Sequence, residues 1–351
     1  MRRFIRIAVP AVLVAAIFFF AFPKMADFSQ VWLHVKAMTW LEITTLVAVA
    51  LWNLATYWLV MMAALPGSNV WQTMKVNQAS TAVSNTLPGG GAIGVGVVYS
   101  MFTGYGFSPG AITLSILVSG IWNNFVKLGM PVVALALLAV TGDVGSGLLL
   151  GAVAGVAMLA LAVAAFAAVL RSETLARRVG ARLGRIVDGA RRIVRKAPGH
   201  DLADATVRFR RDAIGLIRTS WLRLSVTSLV SHVSLYLVLL LALRHVGVSE
   251  SEVTWAEALA AFAFVRLISA LPITPGGVGV VELGLSAALV AAGGEEAGVV
   301  AAVLVFRALT YLLPVPLGLV LYVKWRRGNE RRRQLLEPAG AAPSATLPTR
   351  P

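Results

Sequence analysis

The chain contains no cysteine among its 351 residues, which excludes disulfide bonds, thiolate metal sites and thiol-based catalysis. It is also poor in charge, because only 13% of its residues are charged, whereas 58% are hydrophobic and the mean hydropathy is +0.79. Its four histidines are scattered and lack the spacing of metal ligands, so we expect no metal site. This composition predicts an integral membrane protein rather than a soluble domain.

Acidic residues are scarce relative to basic ones, since 16 Asp and Glu oppose 31 Lys and Arg. A net charge of +15 is found in many nucleic-acid-binding proteins, but its distribution here argues against that partner. Of the 31 basic residues, 23 lie in three segments that flank apolar runs, namely 2–6, 171–218 and 324–350. This pattern predicts a multi-pass protein of the cell inner (cytoplasmic) membrane, with both termini cytoplasmic and anionic lipids as partners.

Six apolar runs approach or exceed the roughly 20 residues that a helix needs to cross a bilayer. They are residues 5–22, 41–65, 111–140, 147–170, 220–243 and 297–323. Two further segments, 70–108 and 255–293, each contain glycine and proline in the middle and read as broken or re-entrant helical hairpins. The predicted fold is therefore an all-α integral membrane protein with about six full spanning helices and two broken hairpins.

One glycine motif occurs twice in the chain. A Pro-Gly-Gly stretch stands at or just before the letters GVGVV in both copies, and a proline follows 37 residues after the first of those glycines, at Pro131 and Pro314. Helix, hairpin and helix recur around each copy, and the charge pattern assigns the two units opposite orientations, so we predict inverted repeats over 40–140 and 220–323. The predicted backbone breaks are Pro88, Gly89, Gly90, Gly94, Gly96, Pro275, Gly276, Gly277 and Gly279.

The remaining segments complete a membrane domain over residues 1–336. Residues 171–218 form a basic cytoplasmic loop, with an amphipathic helix to about Lys196, a turn, and a second short helix. That helix either lies on the anionic inner leaflet or is a solvated positive loop that only fixes orientation. Residues 337–351 read as a disordered tail.

Neither a nucleotide site nor a catalytic site is evident. Gly89, Gly91 and Gly94 match the spacing of a dinucleotide fingerprint, but no strand precedes them and no acidic residue follows at the required distance. No serine, lysine or carboxylate pair stands in a recognisable catalytic arrangement. We therefore expect no cofactor, and enzymatic activity is less expected than transport.

Ionisable residues within apolar helices are informative because an isolated charge in hydrocarbon costs several kcal/mol, about 2.5–3.5 on insertion scales. Four stand out: Lys127, Arg266, Glu282 and Arg307. We expect Glu282 to pair with Arg307 or with Arg266. Two outcomes stay open, because the pair either locks the helices together or lines a polar path for a lipid headgroup. The predicted substrate-binding residues are Glu282, Arg307, Arg266, Tyr311, Lys127 and Asn124.

The stretch from Leu271 to Glu282, LPITPGGVGVVE, resembles a motif of the flippase-like membrane domain of lysylphosphatidylglycerol synthases. The earlier LPGGG stretch at 87–91, and Arg307 followed by Tyr311 and Pro314, carry the same resemblance. It implies a domain that moves an aminoacylated lipid between leaflets, while a separate soluble domain attaches the amino acid. We expect the stand-alone form, without that aminoacyltransferase domain.

The expected function is therefore translocation of a phospholipid, or of an aminoacyl lipid or glycolipid, across the cytoplasmic membrane. A separate lipid-modifying enzyme is a possible partner. The alternative is a membrane-embedded lipid-modifying transferase or a subunit of one, and for that role Glu282 is the one serious catalytic candidate.

Overall fold

A computed structural model of the chain describes residues 28–87, 90–141, 146–193, 202–269 and 275–336. Within these ranges the protein is helical and contains no strand, as predicted. The helices are α1 (Phe28–Ala37), α2 (Trp40–Ala64), α3 (Val70–Thr86), α4 (Gly90–Gly104), α5 (Pro109–Thr141), α6 (Ser146–Arg171), α7 (Glu173–Ile193), α8 (Leu202–His245), α9 (Trp255–Ile268), α10 (Val280–Ala291), α11 (Glu296–Arg307) and α12 (Pro314–Leu336).

Five of the described helical segments are long and apolar enough to cross a membrane. They are 40–64, 109–140, 153–171, 202–245 and 296–329, and each contains or largely overlaps one of the predicted runs. The sixth predicted run, 5–22, lies outside the described residues, as does the predicted tail 337–351. The chain is therefore a multi-pass helical membrane protein, with a short additional helix, α1, that the sequence pattern did not predict.

The same order of elements occurs in both predicted units. Each begins with a long helix (α2 or the second half of α8), continues with two short helices (α3–α4 or α9–α10), and ends with a helical segment that contains a proline (α5 or α11–α12). The packing is reciprocal, because α3 contacts α12 whereas α9 contacts α5. The first helices of the two units, α2 and α8, pack against each other. The inverted relation of the two units stays a prediction.

Two predicted boundaries need correction. The second short helix expected at the end of the 171–218 loop is not separate, because α8 runs unbroken for 44 residues from Leu202 to His245. No proline lies between these residues, and the single Gly215 in an otherwise helical pattern is tolerated. In contrast, the predicted run 297–323 is interrupted at Ala308–Leu312, where a turn of π-helix separates α11 from α12.

Local capping explains where several helices begin. The helices α2, α3 and α9 each start with a capping box, in which the N-cap side chain accepts from the third helical N–H and the third side chain accepts from the N-cap N–H. The N-cap residues are Thr39, Asn69 and Thr254. These short polar signals therefore place the first helix of unit one and the first helix of each hairpin.

Glycines allow the closest helix contacts of the first unit. A Cβ at Gly90 would lie 2.3 Å from the Ser84 carbonyl oxygen, so α3 and α4 meet at a distance that only glycine permits. The predicted break does not extend to Gly94 and Gly96, because both lie within the regular helix α4. Gly94 instead packs against Ser84, whereas nothing lies within 4 Å of a Cβ built at Gly96. Pro88 and Gly89 lie outside the described residues.

A buried polar contact joins the two units. The Asn53 side-chain amide of α2 donates to the Ser231 carbonyl oxygen at 3.0 Å and to the Ser234 hydroxyl at 2.8 Å, both on α8. Asn53 is 2% exposed, so these bonds replace the water that its amide would otherwise need. Hydrogen bonds between membrane helices contribute on average about 0.6 kcal/mol each, so this contact adds orientation as well as stability.

The contact of α12 with α3 gives a stability prediction. Gly318→Ala should destabilise the protein by about 1–3 kcal/mol, because the new Cβ would lie 2.0 Å from the Gln78 carbonyl oxygen and 2.7 Å from the Ala82 Cβ. Gly96→Ala is the matched control, since it also adds one methyl group to an apolar helix but meets no atom within 4 Å. Thermal unfolding in detergent should show a lower Tm for Gly318→Ala alone, and equal midpoints for both variants would contradict the packing described.

Candidate functional site

The second unit leaves regular helix at two places that face each other. The first is the segment Pro275–Gly277, a single turn of 3₁₀-helix between α9 and α10 in which Gly276 has a φ of +61°. The second is the π-turn Ala308–Leu312, which Pro314 follows at the start of α12. Proline lacks an N–H to donate to the preceding turn, so it favours an interruption at this point. Single turns of π-helix inside helices are frequent at functional sites.

A buried ion pair links these two places. Arg307 donates from Nε to Glu282 Oε1 at 2.7 Å, and the side chains of Arg307 and Glu282 are only 13% and 4% exposed. The other carboxylate oxygen of Glu282 accepts from the Gly279 N–H at 2.6 Å, so the carboxylate also closes the first turn of α10. The predicted pairing of Glu282 is thus with Arg307 and not with Arg266.

The guanidinium of Arg307 also supports the glycine turn. One of its terminal nitrogens donates to the Gly276 carbonyl oxygen at 3.2 Å. Gly276 cannot be replaced without strain, because its φ is positive and a Cβ would lie 2.3 Å from Cε2 of the Tyr311 ring. Gly277 and Gly279 also have positive φ values, of 69° and 84°. The second copy of the motif is therefore a true break in the helix.

Tyr311 connects the second unit to the first. Its ring lies under the guanidinium of Arg307, with 4.4 Å between the guanidinium carbon and the ring centroid, which is a cation–π contact. Its hydroxyl donates to the Asn85 carbonyl oxygen at 2.6 Å, in the last turn of α3. The free carbonyl at the end of the first unit's hairpin helix is thus satisfied by a side chain from the second unit.

These residues border a cavity of about 350 Å³ between the two units. Its wall includes residues near the middle of the spanning helices α2, α5 and α8, so it lies at depth in the protein. Among the described residues, three cations line it, whereas no carboxylate does. The other polar groups of the wall are amides and hydroxyls, namely Asn53, Tyr57, Asn77, Thr81, Asn85, Ser269, Thr310 and Tyr311.

Two of the three cations have no counter-ion. Among the described residues no carboxylate lies within 4 Å of Lys127 or Arg266, and of the three cavity cations Arg307 alone has an acidic partner. The Nε atom of Arg266 is buried and has no hydrogen-bond partner. The carboxylate of Glu282 neutralises Arg307 from behind the wall. The cavity therefore carries an excess of positive charge.

The predicted site residues fall into three positions. Lys127, Arg266, Arg307 and Tyr311 line the cavity, and Glu282 is buried behind it. Asn124 does not line it and is exposed, because it lies on another side of α5.

Sequence reasoning missed the polar face of α3. Asn77, Thr81 and Asn85 all line the cavity, and they are spaced four residues apart. Such spacing places side chains on one helix face, so the signal was present in the sequence. Asn53 and Tyr57 of α2 carry the same four-residue spacing and were also missed.

A second cavity of about 280 Å³ adjoins the first. Tyr57 and Asn77 line both cavities and form the wall between them. A line of polar side chains on α5 connects the two, since Ser115, Ser119 and Asn123 line the second cavity and Lys127 lines the first. These four residues are spaced four apart on one helix face, with a rise of about 1.5 Å per residue.

Neither the acidic and histidine side chains nor the glycines of the described residues form an arrangement typical of a metal or nucleotide site. Within the described ranges there is no group of three His, Asp or Glu residues that is suited to a metal ion. The glycines of the first motif copy that lie in this part of the chain serve helix packing or lie open, and none has a positive φ. The chemistry that the site can perform is recognition of an anion by two guanidinium groups, an ammonium group and neutral donors.

The described chain is thus a multi-pass helical membrane protein with a cation-lined cavity between two similarly ordered helical units. A sequence model of the family described as the lysylphosphatidylglycerol synthase TM region matches residues 7–318. Because the match covers most of the chain, the protein belongs to this family, as its motifs predict. Membership relates the protein to lipid-modifying or flippase-like membrane proteins. No curated protein matches the chain.

The ion pair gives a second stability prediction. Arg307→Met should destabilise the protein by about 3–5 kcal/mol, because it leaves the buried carboxylate of Glu282 without a counter-charge. The double variant Glu282→Gln/Arg307→Met should recover much of this loss, since glutamine removes the charge and keeps an oxygen for the Gly279 N–H. The measurement is unfolding of the purified single and double variants in detergent. Additive losses in the double variant would show that the two side chains are not coupled.

Proposed function

We propose that this protein binds the headgroup of an anionic lipid in the cation-lined cavity and carries it across the membrane. The observation that supports this function is that Lys127 and Arg266 line the cavity and have no carboxylate partner in the described part of the chain. Unpaired charges are expensive inside a membrane and persist there mainly at substrate paths. An incoming phosphate would supply the missing negative charge.

The three cations have different parts in this proposal. Arg307 already has partners, since its Nε and one terminal nitrogen donate hydrogen bonds to Glu282 and to the Gly276 carbonyl oxygen. Its main role is to stabilise the break in the helix at Gly276. Its remaining N–H groups add to the positive electrostatic potential of the cavity. Arg266 and Lys127 would be the principal phosphate contacts. The guanidinium of Arg266 can bind phosphate through two nitrogens, whereas Lys127 acts as a point charge.

The adjoining cavity favours movement rather than static binding. A headgroup could pass between Tyr57 and Asn77 and follow Ser119 and Asn123 along α5, exchanging one set of polar contacts for another. The acyl chains would stay in the surrounding bilayer. The glycine and π-helical interruptions of the second unit provide places where helices can change direction, as in transporters built from broken helices.

The orientation in this proposal follows the basic segments. The protein would lie in the cell inner membrane, with the segments 171–218 and 324–350 on the cytoplasmic side. The two units would have opposite orientations in that membrane. A separate lipid-modifying enzyme would be the source of a modified lipid. A transferase is less favoured, because its one catalytic candidate, Glu282, is buried and bonded to Arg307 and Gly279.

Transport in proteoliposomes tests this function. Arg266→Gln should slow the exchange of a fluorescent anionic lipid between leaflets by about tenfold or more, because a charge-assisted hydrogen bond to phosphate contributes about 1.5–3 kcal/mol. Lys127→Gln should act in the same direction. Arg223→Gln is the matched control, since Arg223 is exposed on α8 and does not line the cavity.

The readout is the fraction of labelled lipid that an external reducing agent can reach over time. Mass spectrometry of co-purified lipids should show less anionic lipid with Arg266→Gln than with the control. Exchange that is equally fast in all folded variants would reject the transport role of the cavity. A lipid product whose mass changes only with the active protein would favour a transferase instead.

A further inference from the structure

Helix α7 carries an apolar stripe that no other described part of the chain covers. Leu183, Ile186 and Val187 are 49%, 68% and 40% exposed. Their spacing of three, one and four residues places them on one side of the helix. This helix is otherwise polar and strongly basic, so the stripe is not part of an apolar spanning segment.

The rotation of α7 about its axis is set by its contact with α8. A Cβ at Gly180 would lie 2.4 Å from the Leu202 carbonyl oxygen, so the two helices are in close contact there. Arg177 and Asp204 form an ion pair at 2.7 Å on the same side. With this side packed on α8, Leu183 lies about 60° and Ile186 about 120° around the helix from Gly180, and both side chains stay exposed.

Arginines border the stripe on the side away from α8. Arg178, Arg182 and Arg185 are all exposed and lie within two turns of one another on one face. Among the described residues none of the three has a carboxylate within 4 Å. A row of unpaired guanidinium groups beside bulky apolar side chains is the composition of helices that lie in a membrane interface.

The chain also places α7 at the edge of the membrane. Only Ser172 separates it from α6, a spanning helix that ends at Arg171. No residue in the spanning window of α6 is fully buried, and one side of the helix packs on α5, so its other side faces lipid. A helix that follows it directly therefore starts at the level of the lipid headgroups.

We propose that α7 lies in the headgroup layer of a leaflet rich in anionic lipid. Ile186 and Leu183 would reach the boundary of the acyl chains, and Arg178, Arg182 and Arg185 would bind lipid phosphates. The basic segment would then contain a membrane-bound helix rather than a solvated positive loop that only fixes orientation. This placement of α7 does not depend on transport through the cavity, because its residues lie outside both cavities.

A single cysteine can report on this position, since the natural chain has none. Ile186→Cys carries an environment-sensitive fluorophore in the full chain, reconstituted in nanodiscs of phosphatidylcholine with or without phosphatidylglycerol. Ala181→Cys is the matched control, because Ala181 is also exposed and lies about 140° around the helix. The probe at 186 should show blue-shifted emission and quenching by brominated lipid, whereas the probe at 181 should be quenched by aqueous iodide.

The arginines are tested in the same background. Replacing Arg178, Arg182 and Arg185 by glutamine should abolish the extra lipid quenching that phosphatidylglycerol gives at position 186, and replacement by lysine should retain most of it. A probe at 186 that iodide reaches as well as it reaches position 181 would overturn the proposal. Lipid quenching at position 186 that is the same with and without phosphatidylglycerol would overturn the proposed binding of anionic lipid by the arginines. Transport activity is not the readout, so failure here is distinct from failure of the proposed function.

Discussion

A carboxylate and a guanidinium hold each other at the place where the second unit leaves regular helix. Glu282 closes the first turn of α10 and binds Arg307, which in turn supports the carbonyl of Gly276 and lies over Tyr311. Removing either charge would leave the other buried, and a buried unpaired charge is far more expensive than a surface one. The glycine turn and the π-turn are therefore held together by this one ion pair, and Tyr311 extends the contact to Asn85 of the first unit.

The pair also explains how the cavity can remain cationic. Glu282 is paired with Arg307 and does not face the cavity, so Lys127 and Arg266 stay without a counter-ion in the described structure.

The two copies of the glycine motif have different structural roles. In the first, Gly94 allows α3 and α4 to touch, whereas in the second the equivalent Gly277 has a φ of +69°, a backbone conformation that other residues avoid. Identical letters serve different purposes because their neighbours differ.

Much of the fold could be predicted because membrane helices obey a simple rule of length and apolarity. The spans and both hairpins follow from apolar runs and from glycine and proline positions. The full length of α8 was harder to predict, since residues 202–218 are polar and yet form one unbroken helix with its spanning part. The π-turn at 308–312 was not predicted, and its Tyr311 donates to the Asn85 carbonyl oxygen of the other unit, a contact between distant segments that no local pattern encodes.

By itself the sequence determined the membrane class, the family, the repeated order of elements and the four costly ionisable residues, because each is written in composition or in local spacing. Only the tertiary structure decided which of those residues meet. Glu282 pairs with Arg307 and not with Arg266. Asn124 does not line the cavity, whereas Asn77 and Asn85 of α3 do. Such choices depend on how helices rotate and cross when distant segments pack, and no local pattern encodes those angles.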